Sequence, residues 1–400
     1  MHLFFSVGEP SGDEHASELM HELCTRHGSA VQTGRAGGFR ASGFGGPKML
    51  AAGQEQHFAL CNLAVMGIGQ ILPQLKTFFR LADEAEAFFR TERPDAVVLI
   101  DYPGFNWHIA RRAKKHGIPV VYYMPPQLWA WAPWRIRKAR RLVDLVLSGL
   151  PFEAEWYRGR GVATAEVSHP FFDEVARRRL DESLVSEIRR SGRPLAILPG
   201  SRNSEVQKNV PVQLSVARRL AARHPDLRFH VACYKPAHAE AIARLVAKEA
   251  AGLPITLHVG KLSEVVEASD AVCAVSGSVS LELLARRKPT SILYRGSPLM
   301  WAAGHTLITV PFFTLPNLIA GREVMPEHPF VRRIDRHAAA IAADLHAWLD
   351  DDVAYAAKVS ELEAVAQSVV QPGGTAAACD ALESFLGTSR GRQATGRAAA

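Results

Sequence analysis

Two doubly wound parallel α/β domains are what this sequence predicts, and three observations carry the prediction. Short, continuously apolar runs alternate with helical segments, the pattern of a parallel sheet covered on both faces. The rhythm starts twice, once at the N-terminus and again near Arg193. The chain has 400 residues, which suits two domains at roughly 100–200 residues each.

In the first series, HLFFSV (2–7) reads as a strand and EHASELMHELCTR (14–26) as a helix. DAVVLID (95–101) is an apolar strand ending in Asp101, IARRAKKHG (109–117) a helix with a glycine stop, and IPVVYYM (118–124) and LVDLVLSGL (142–150) further strands. In the second series PLAILPGSR (194–202) is a strand running into a turn, VPVQLSVARRLAARHPD (210–226) an amphipathic helix and LRFHVACY (227–234) a strand. The helix HAEAIARLVAKEAAG (238–252), the strand ITLHVG (255–260), the short helix LSEVVEASD (262–270), the strand AVCAVSG (271–277) and the helix SVSLELLARRK (278–288) complete it. These bounds predict a first domain over 1–170 and a second over 171–364, and C-terminal helices at about 365–386 are expected to join the first. Charged, largely helical residues 171–193 read as the linker region, and the small, polar, basic residues 387–400 as a disordered tail.

Composition narrows the function. Hydrophobic residues make up 48% and charged residues 22%, ordinary for globular domains with real cores. The net charge of +7 suits nucleic acid, an anionic membrane or a phosphorylated substrate. No basic run is interleaved with aromatics, so no nucleic-acid partner is expected; the densest cluster, Arg135, Arg137, Lys138, Arg140 and Arg141, falls in a helical segment. Cys24, Cys61, Cys233, Cys273 and Cys379 are scattered, without metal or redox spacing. The start MHLFFSVGEPSGD lacks the basic region and cleavage site of a signal peptide. No apolar run reaches the ~20 residues of a membrane span; Gly296 to Ala320 is broken by Pro298, Pro311 and Pro316, contains His305, and reads as irregular or amphipathic.

In an open parallel sheet ligands bind beyond the carboxyl ends of the strands, and four such loops carry chemistry-bearing residues. GEPSGDEH (8–15) offers Ser11 and Asp13, suited to binding hydroxyls or to capping the helix. It is neither a dinucleotide fingerprint nor a P-loop, which counts against a dinucleotide oxidoreductase. IDYPGFN (100–106) presents Asp101 where a general base is useful. LPGSRNSE (198–205) places Gly200, Ser201 and Arg202 for phosphate oxygens. SGSVSLE (276–282) sets Ser276, Gly277 and Ser278 at a helix start that favours an anion, with Glu282 for ribose hydroxyls or the helix dipole. Two anion-suited loops in one domain suggest a nucleoside diphosphate. No Asp-x-Asp pair or His/Cys cluster is evident, so no metal is expected, and His15, His169 and His305 read as structural.

Taken together, these segments resemble the lipid A disaccharide synthases, inverting glycosyltransferases of the GT-B fold. The matching segments are GEPSGDEHA (8–16), GFGGPKMLAAG (43–53), LAVMGIGQILPQL (63–75), IDYPGFN (100–106) and YYMPPQLWAWAPWRIRKARRLVD (122–144), then LPFE (150–153), HPFFD (169–173), LPGSRNSEV (198–206), SGSVSLELL (276–284) and LPNLIAGRE (315–323), in family order. Two departures are Ser168 where a glycine usually precedes the His-Pro, and PPQLWAW in the aromatic loop.

The resemblance implies two Rossmann-like domains with an interdomain cleft. It implies transfer of 2,3-diacylglucosamine from UDP-2,3-diacylglucosamine to 2,3-diacylglucosamine 1-phosphate (lipid X), on the cytoplasmic face of the inner membrane, without a cofactor. On this reading Asp101 is the base, with Asp13 in reserve; Gly200, Ser201, Arg202, Ser276, Gly277, Ser278 and Glu282 hold the UDP part; Ser11, Asn317 and Arg322 contact polar substrate groups. The helical stretch 67–89 offers Ile68, Ile71, Leu72, Leu75, Phe78 and Phe79 to acyl chains or an anionic membrane, or else to the core. A homodimer is compatible with all of this. Alternatives are another GT-B UDP-hexosamine enzyme, transferase or epimerase, and a non-catalytic nucleotide-sugar or lipid-binding relative.

Overall fold

A computed structural model describes residues 1–28, 38–64, 71–296 and 310–398, with 63–64, 71–74 and 389–398 by backbone only. The chain divides into two compact units, Met1–Asp173 with Gln371–Ala400, and Glu174–Val370.

The first unit runs β1 (His2–Val7), α1 (Pro10–His27), β2 (Arg40–Phe44), α2 (Pro47–Ala51), β3 (Glu55–Phe58), α3 (Cys61–Ala64), α4 (Ile71–Glu92), β4 (Ala96–Ile100), α5 (Pro103–Lys115), β5 (Val120–Tyr123), α6 (Leu128–Trp131), α7 (Ile136–Leu142), β6 (Leu145–Ser148), α8 (Pro151–Arg158), β7 (Thr164–Glu166) and the start of α9 (Pro170–Arg177). Its strands form one parallel sheet in the order β3-β2-β1-β4-β5-β6-β7. Alternation sends Leu3, Phe5 and Val7 of β1 into one core and Phe4 into the other. Both faces are therefore buried, as the unbroken apolar run of β1 requires.

The second unit continues with α10 (Glu182–Arg190), β8 (Arg193–Leu198), α11 (Asn203–Ala221), β9 (Leu227–Cys233), α12 (Pro236–Glu249), β10 (Ile255–Val259), α13 (Leu262–Ala268), β11 (Ala271–Val275), α14 (Val279–Ala285), β12 (Thr290–Arg295), α15 (Leu315–Ala320), β13 (Glu327–Phe330), α16 (Ile334–Asp350) and α17 (Asp352–Val369). Its strands are also parallel, in the order β10-β9-β8-β11-β12-β13. Val212, Leu214 and Val216 of α11 and Ile341 and Leu345 of α16 share one core with β8 and β9.

The chain then returns to the first unit as α18 (Gly374–Ala398), which inserts Ala378, Cys379, Leu382 and Leu386 beside Leu19 and Leu23 of α1. Asp173 anchors this return, its carboxylate accepting the N–H groups of Gly373 (2.5 Å) and Thr375 (2.9 Å). Ser168, the departure before His169, donates to the carbonyl of Gln371 at 2.6 Å.

Three expectations need correcting. The division of the chain falls inside α9, not in a separate linker, because Asp173 is held by the returning strand of chain. Residues 182–190 form a regular helix of the second unit, whose Val185 and Ile188 are buried. The backbone of α18 runs to Ala398, through the stretch read as a tail. Of the stretch 296–320, residues 297–309 lie outside the described residues, and 315–320 are helix α15. Among the described residues, no helix is long and apolar enough to cross a membrane.

Candidate active site

Each sheet has one point where the strand order reverses, between β1 and β4 in the first unit and between β8 and β11 in the second. Loops leaving such a pair diverge and open a crevice at their carboxyl ends. The four chemistry-bearing loops of the sequence are the four loops at these two points.

In the first unit the loop after β4 is tightly held. Asp101 and Tyr102 both adopt left-handed backbone (φ 45° and 44°), which for residues with a Cβ stores of order 1–3 kcal/mol each. Asn106, fully buried, holds the turn: its Nδ2 donates to the carbonyls of Ser6 (3.1 Å), Ile100 (3.2 Å) and Asp101 (2.8 Å), and its Oδ1 accepts from Ser6 Oγ at 2.7 Å. Tyr122 adds a hydroxyl bond to the Asp101 carbonyl at 2.6 Å. The Tyr102 ring lies against Gly8, where any Cβ would stand 2.3 Å from the ring. A glycine is therefore required in the loop after β1.

Among the described residues the Asp101 carboxylate has no ion-pair partner. Loss of surrounding water, followed by the nearby Glu9 and Glu153 carboxylates, pushes it up to about 7. Glu153 is buried, accepts from Trp129 Nε1 (2.9 Å) and Ser148 Oγ (2.7 Å), and is itself pushed up to about 7 by burial. The segments IDYPGFN and LPFE contain Asn106 and Glu153, but nothing in their spacing reveals that one clamps the turn and the other joins Trp129 to Ser148.

Asp13 has a different task from the reserve base expected of it. It is 2% exposed, and its two oxygens accept the N–H groups of Gly46 (2.9 Å), Lys48 (2.9 Å) and Met49 (3.1 Å). It caps the start of α2, satisfying amides that the helix itself leaves unpaired. Ser11 is exposed in the first turn of α1.

In the second unit Gly200 has φ 107°, and a Cβ there would lie 2.6 Å from Glu205 Oε2. That oxygen accepts from the backbone N–H of Ser201 (3.1 Å) and Arg202 (3.2 Å), while Glu205 Oε1 meets Arg202 Nη1 at 3.1 Å. A carboxylate of the chain's own thus lies on the amides expected to hold phosphate. The pair is open to water, with the Arg202 side chain 81% exposed.

In the β11–α14 loop, Ser276 Oγ donates to the carbonyl of Phe313 at 3.2 Å, and Gly277 and Ser278 are exposed. Phe313 stacks on Tyr294, centroids 5.4 Å apart, an aromatic pair beside this loop that the sequence reading missed. Glu282 is buried and pairs with Arg286 of its own helix at 3.0 Å, so it is not openly presented to a ribose.

Asn317 also departs from expectation. Fully buried, it donates to the Met325 carbonyl and to Glu327 Oε1, and accepts from the Val324 and Met325 N–H groups, all at 2.8 Å. Its hydrogen-bonding capacity is spent shaping the 321–327 loop. Glu327 joins the same network by accepting from the Phe313 and Thr314 N–H groups. Arg322 is paired with Glu361.

Of the residues assigned to acyl chains, Ile68 lies outside the described residues, and Ile71 and Leu72 lie in α4 with side chains outside them. Phe78 packs on Tyr102 and Phe105. Leu75 and Phe79 are exposed, at 42% and 53%. Trp131 and Trp134 are exposed as well, near the exposed Arg137, Lys138, Arg140 and Arg141 in the chain.

Two parallel α/β units, each with loops gathered at one switch point, are the GT-B fold. Solved structures agree with the fold: the S. aureus MnaA-UDP co-structure superposes with a TM-score of 0.62 at 13% identity, covering 94% of this chain and 93% of that one. The calicheamicin glycosyltransferase CalG4 superposes at 0.57 with 15% identity, covering 97% and 98%. The family model for lipid-A-disaccharide synthetase matches residues 3–371. Lipid-A-disaccharide synthase of Geobacter sulfurreducens is 36% identical over 370 residues, 92% of either chain, and that of Idiomarina loihiensis 36% over 323 residues, 80% of this chain and 83% of its own. The chain belongs to the lipid-A-disaccharide synthetase family.

Proposed function

We propose that this glycosyltransferase moves 2,3-diacylglucosamine from UDP-2,3-diacylglucosamine to the 6-hydroxyl of lipid X, releasing UDP and forming the β-1,6-linked disaccharide 1-phosphate. The observation that carries the catalytic assignment is Asp101, a carboxylate at the first unit's switch point, set on a clamped turn and pushed up to about 7. A base with that value is matched to proton abstraction near neutral pH. Asp101 takes the proton of the acceptor hydroxyl as its oxygen bonds to C1 of the donor sugar. The bond from C1 to the phosphate oxygen breaks, and its electron pair leaves with UDP. Attack opposite the leaving group inverts C1.

The departing diphosphate needs positive charge or aligned N–H groups. Arg202, the Ser201 and Arg202 amides, and the Ser276–Ser278 loop supply both. Entry of the diphosphate displaces Glu205 from those amides. Glu282, once turned from Arg286, suits the ribose, and Ser11 suits a polar group of the acceptor. The chemistry needs no metal. Leu75, Phe79, Trp131 and Trp134 with the basic residues of α7 suit peripheral contact with an anionic inner-membrane surface.

The test is an assay of purified protein with both lipid substrates in detergent micelles, without added metal, following disaccharide 1-phosphate by chromatography. Product from the wild type that disappears in Asp101→Ala and Arg202→Ala is the expected result. Folded wild type that makes no product across several acyl lengths would overturn the substrate pair, and UDP-hexosamine substrates would be tried next.

A further inference from the structure

We propose that the second unit carries a divalent-cation site at the edge of its sheet opposite the donor loops, formed by His224, His346 and Asp350. α11 runs from the carboxyl end of β8 back to the amino end of β9, and His224 lies in the turn just before β9. α16 ends at the same edge: Arg193, the first residue of β8, donates to the carbonyl of Leu349 at 2.7 Å. His346 and Asp350 are one helical turn apart on α16 and share a face.

The donor atoms converge. His224 Nε2 faces His346 Nδ1 at 3.0 Å and Asp350 Oδ1 at 3.4 Å. One ligand atom from each of the three lies within 4.8 Å of the others, and among the described residues this is the group of such residues that meets that condition. Ligands at about 2.0–2.2 Å from a tetrahedral zinc stand roughly 3.3–3.5 Å apart, so shifts of a few tenths of an ångström complete two edges of the polyhedron. Two imidazoles and a carboxylate are a ligand set suited to zinc.

Two further features suit a cation. Arg223 Nη2 holds the other oxygen of Asp350 at 2.7 Å, leaving Oδ1 turned toward the imidazoles. An outer partner that orients a ligating carboxylate is the usual support of a metal site. The last carbonyls of α16 also bring partial negative charge to this end. His224 is buried, His346 half-buried and Asp350 exposed, so a cation has a path in and water can take the remaining position. None of the three residues belongs to the donor loops. The cation would tie the end of α11 to the end of α16 and stabilise the unit, leaving the transfer reaction unchanged.

A second histidine pair sharpens the test. His230 Nδ1 and His258 Nε2 also meet at 3.0 Å, but no described carboxylate completes that pair. Full-length protein freed of any affinity tag is stripped with EDTA and titrated with zinc ion; its melting temperature is read with the zinc present, and a dialysed portion is analysed for retained metal. The expected result is one zinc per chain and a melting rise of about 5 °C or more at zinc near a hundredfold over its Kd. His346→Gln and Asp350→Asn should abolish both effects, whereas His258→Gln keeps them. If one variant fails to fold, the other decides. Absence of retained zinc, or equal retention by His346→Gln and Asp350→Asn, would overturn the site and leave a hydrogen-bonded histidine pair.

Discussion

Both units place backbone amides close to a carboxylate of their own chain, and they do it in opposite ways. In the first unit Asp13 is buried, and its three N–H bonds fix the start of α2 for good. In the second, Glu205 covers the Ser201 and Arg202 amides from a position only partly withdrawn from water, beside a guanidinium that is mostly exposed. Both carboxylates cap a helix start, Asp13 that of α2 from outside the helix and Glu205 that of α11 from within it, but only the first is shut off from water. Burial therefore separates an aspartate locked into the fold from a glutamate that water can reach, the one that the proposed mechanism displaces when the diphosphate enters.

The largest effect that tests this contrast concerns Asp101, which neither caps nor covers anything. Asp101→Asn is expected to lower kcat by about 10²–10⁴-fold with little change in melting temperature, measured by steady-state kinetics beside circular dichroism. Its carboxyl must be ionised to act, so wild-type kcat/KM should rise as pH increases through about 7 and fall away below it. A pH profile flat across that range would remove Asp101 from the role of base.

Next in size is Asp13→Ala. It strands the amides of Gly46, Lys48 and Met49, and should destabilise the first unit by about 3 kcal/mol or more. Calorimetry that finds the melting transition of this variant unshifted would show that the cap is dispensable. Asn317→Ala, which removes three buried and one half-buried hydrogen bond from the 321–327 loop, should cost the second unit about 2–3 kcal/mol by the same measurement.

The smallest effect is the most informative. Glu205→Gln removes a negative charge from the phosphate position, and the exposed ion pair it breaks contributes only ~0–1 kcal/mol. UDP should bind about threefold to fivefold more tightly, read by calorimetric titration, with the melting temperature nearly unchanged. Weaker UDP binding would mean that Glu205 shapes the loop for the donor instead of competing with it.

The parts of this architecture that were legible in the sequence are those governed by local pattern. β1, β4, β8 and β11 are continuous apolar runs, and the loops after them are marked by Gly, Ser, Asp or Arg at the point where apolarity stops. β2 and β3 were not read as strands. RASGF carries a glycine at φ 124°, and EQHF at the sheet edge has two exposed positions in four. The side-chain roles were harder. Asp101 stands out in the sequence because it ends a strand, whereas Asp13 as a reserve base and Asn317 as a substrate contact lose that appearance once their partners are seen. Those partners are backbone amides and carbonyls, which have no signature in sequence. Glu153 with Trp129, and His224 with His346, are joined only by the folded chain.

The return of the chain into the first unit as α18 has a consequence for synthesis. The core beside α1 lacks Cys379, Leu382 and Leu386 until synthesis has passed through the whole of the second unit. The second unit is continuous from Glu174 to Val370, so it has all its residues sooner. Domains generally fold as units, N-terminal first during synthesis, and here the order is reversed: the half that emerges last as a complete set of residues is the one that began first. Until α18 arrives, the apolar face of α1 is a surface for chaperones to cover.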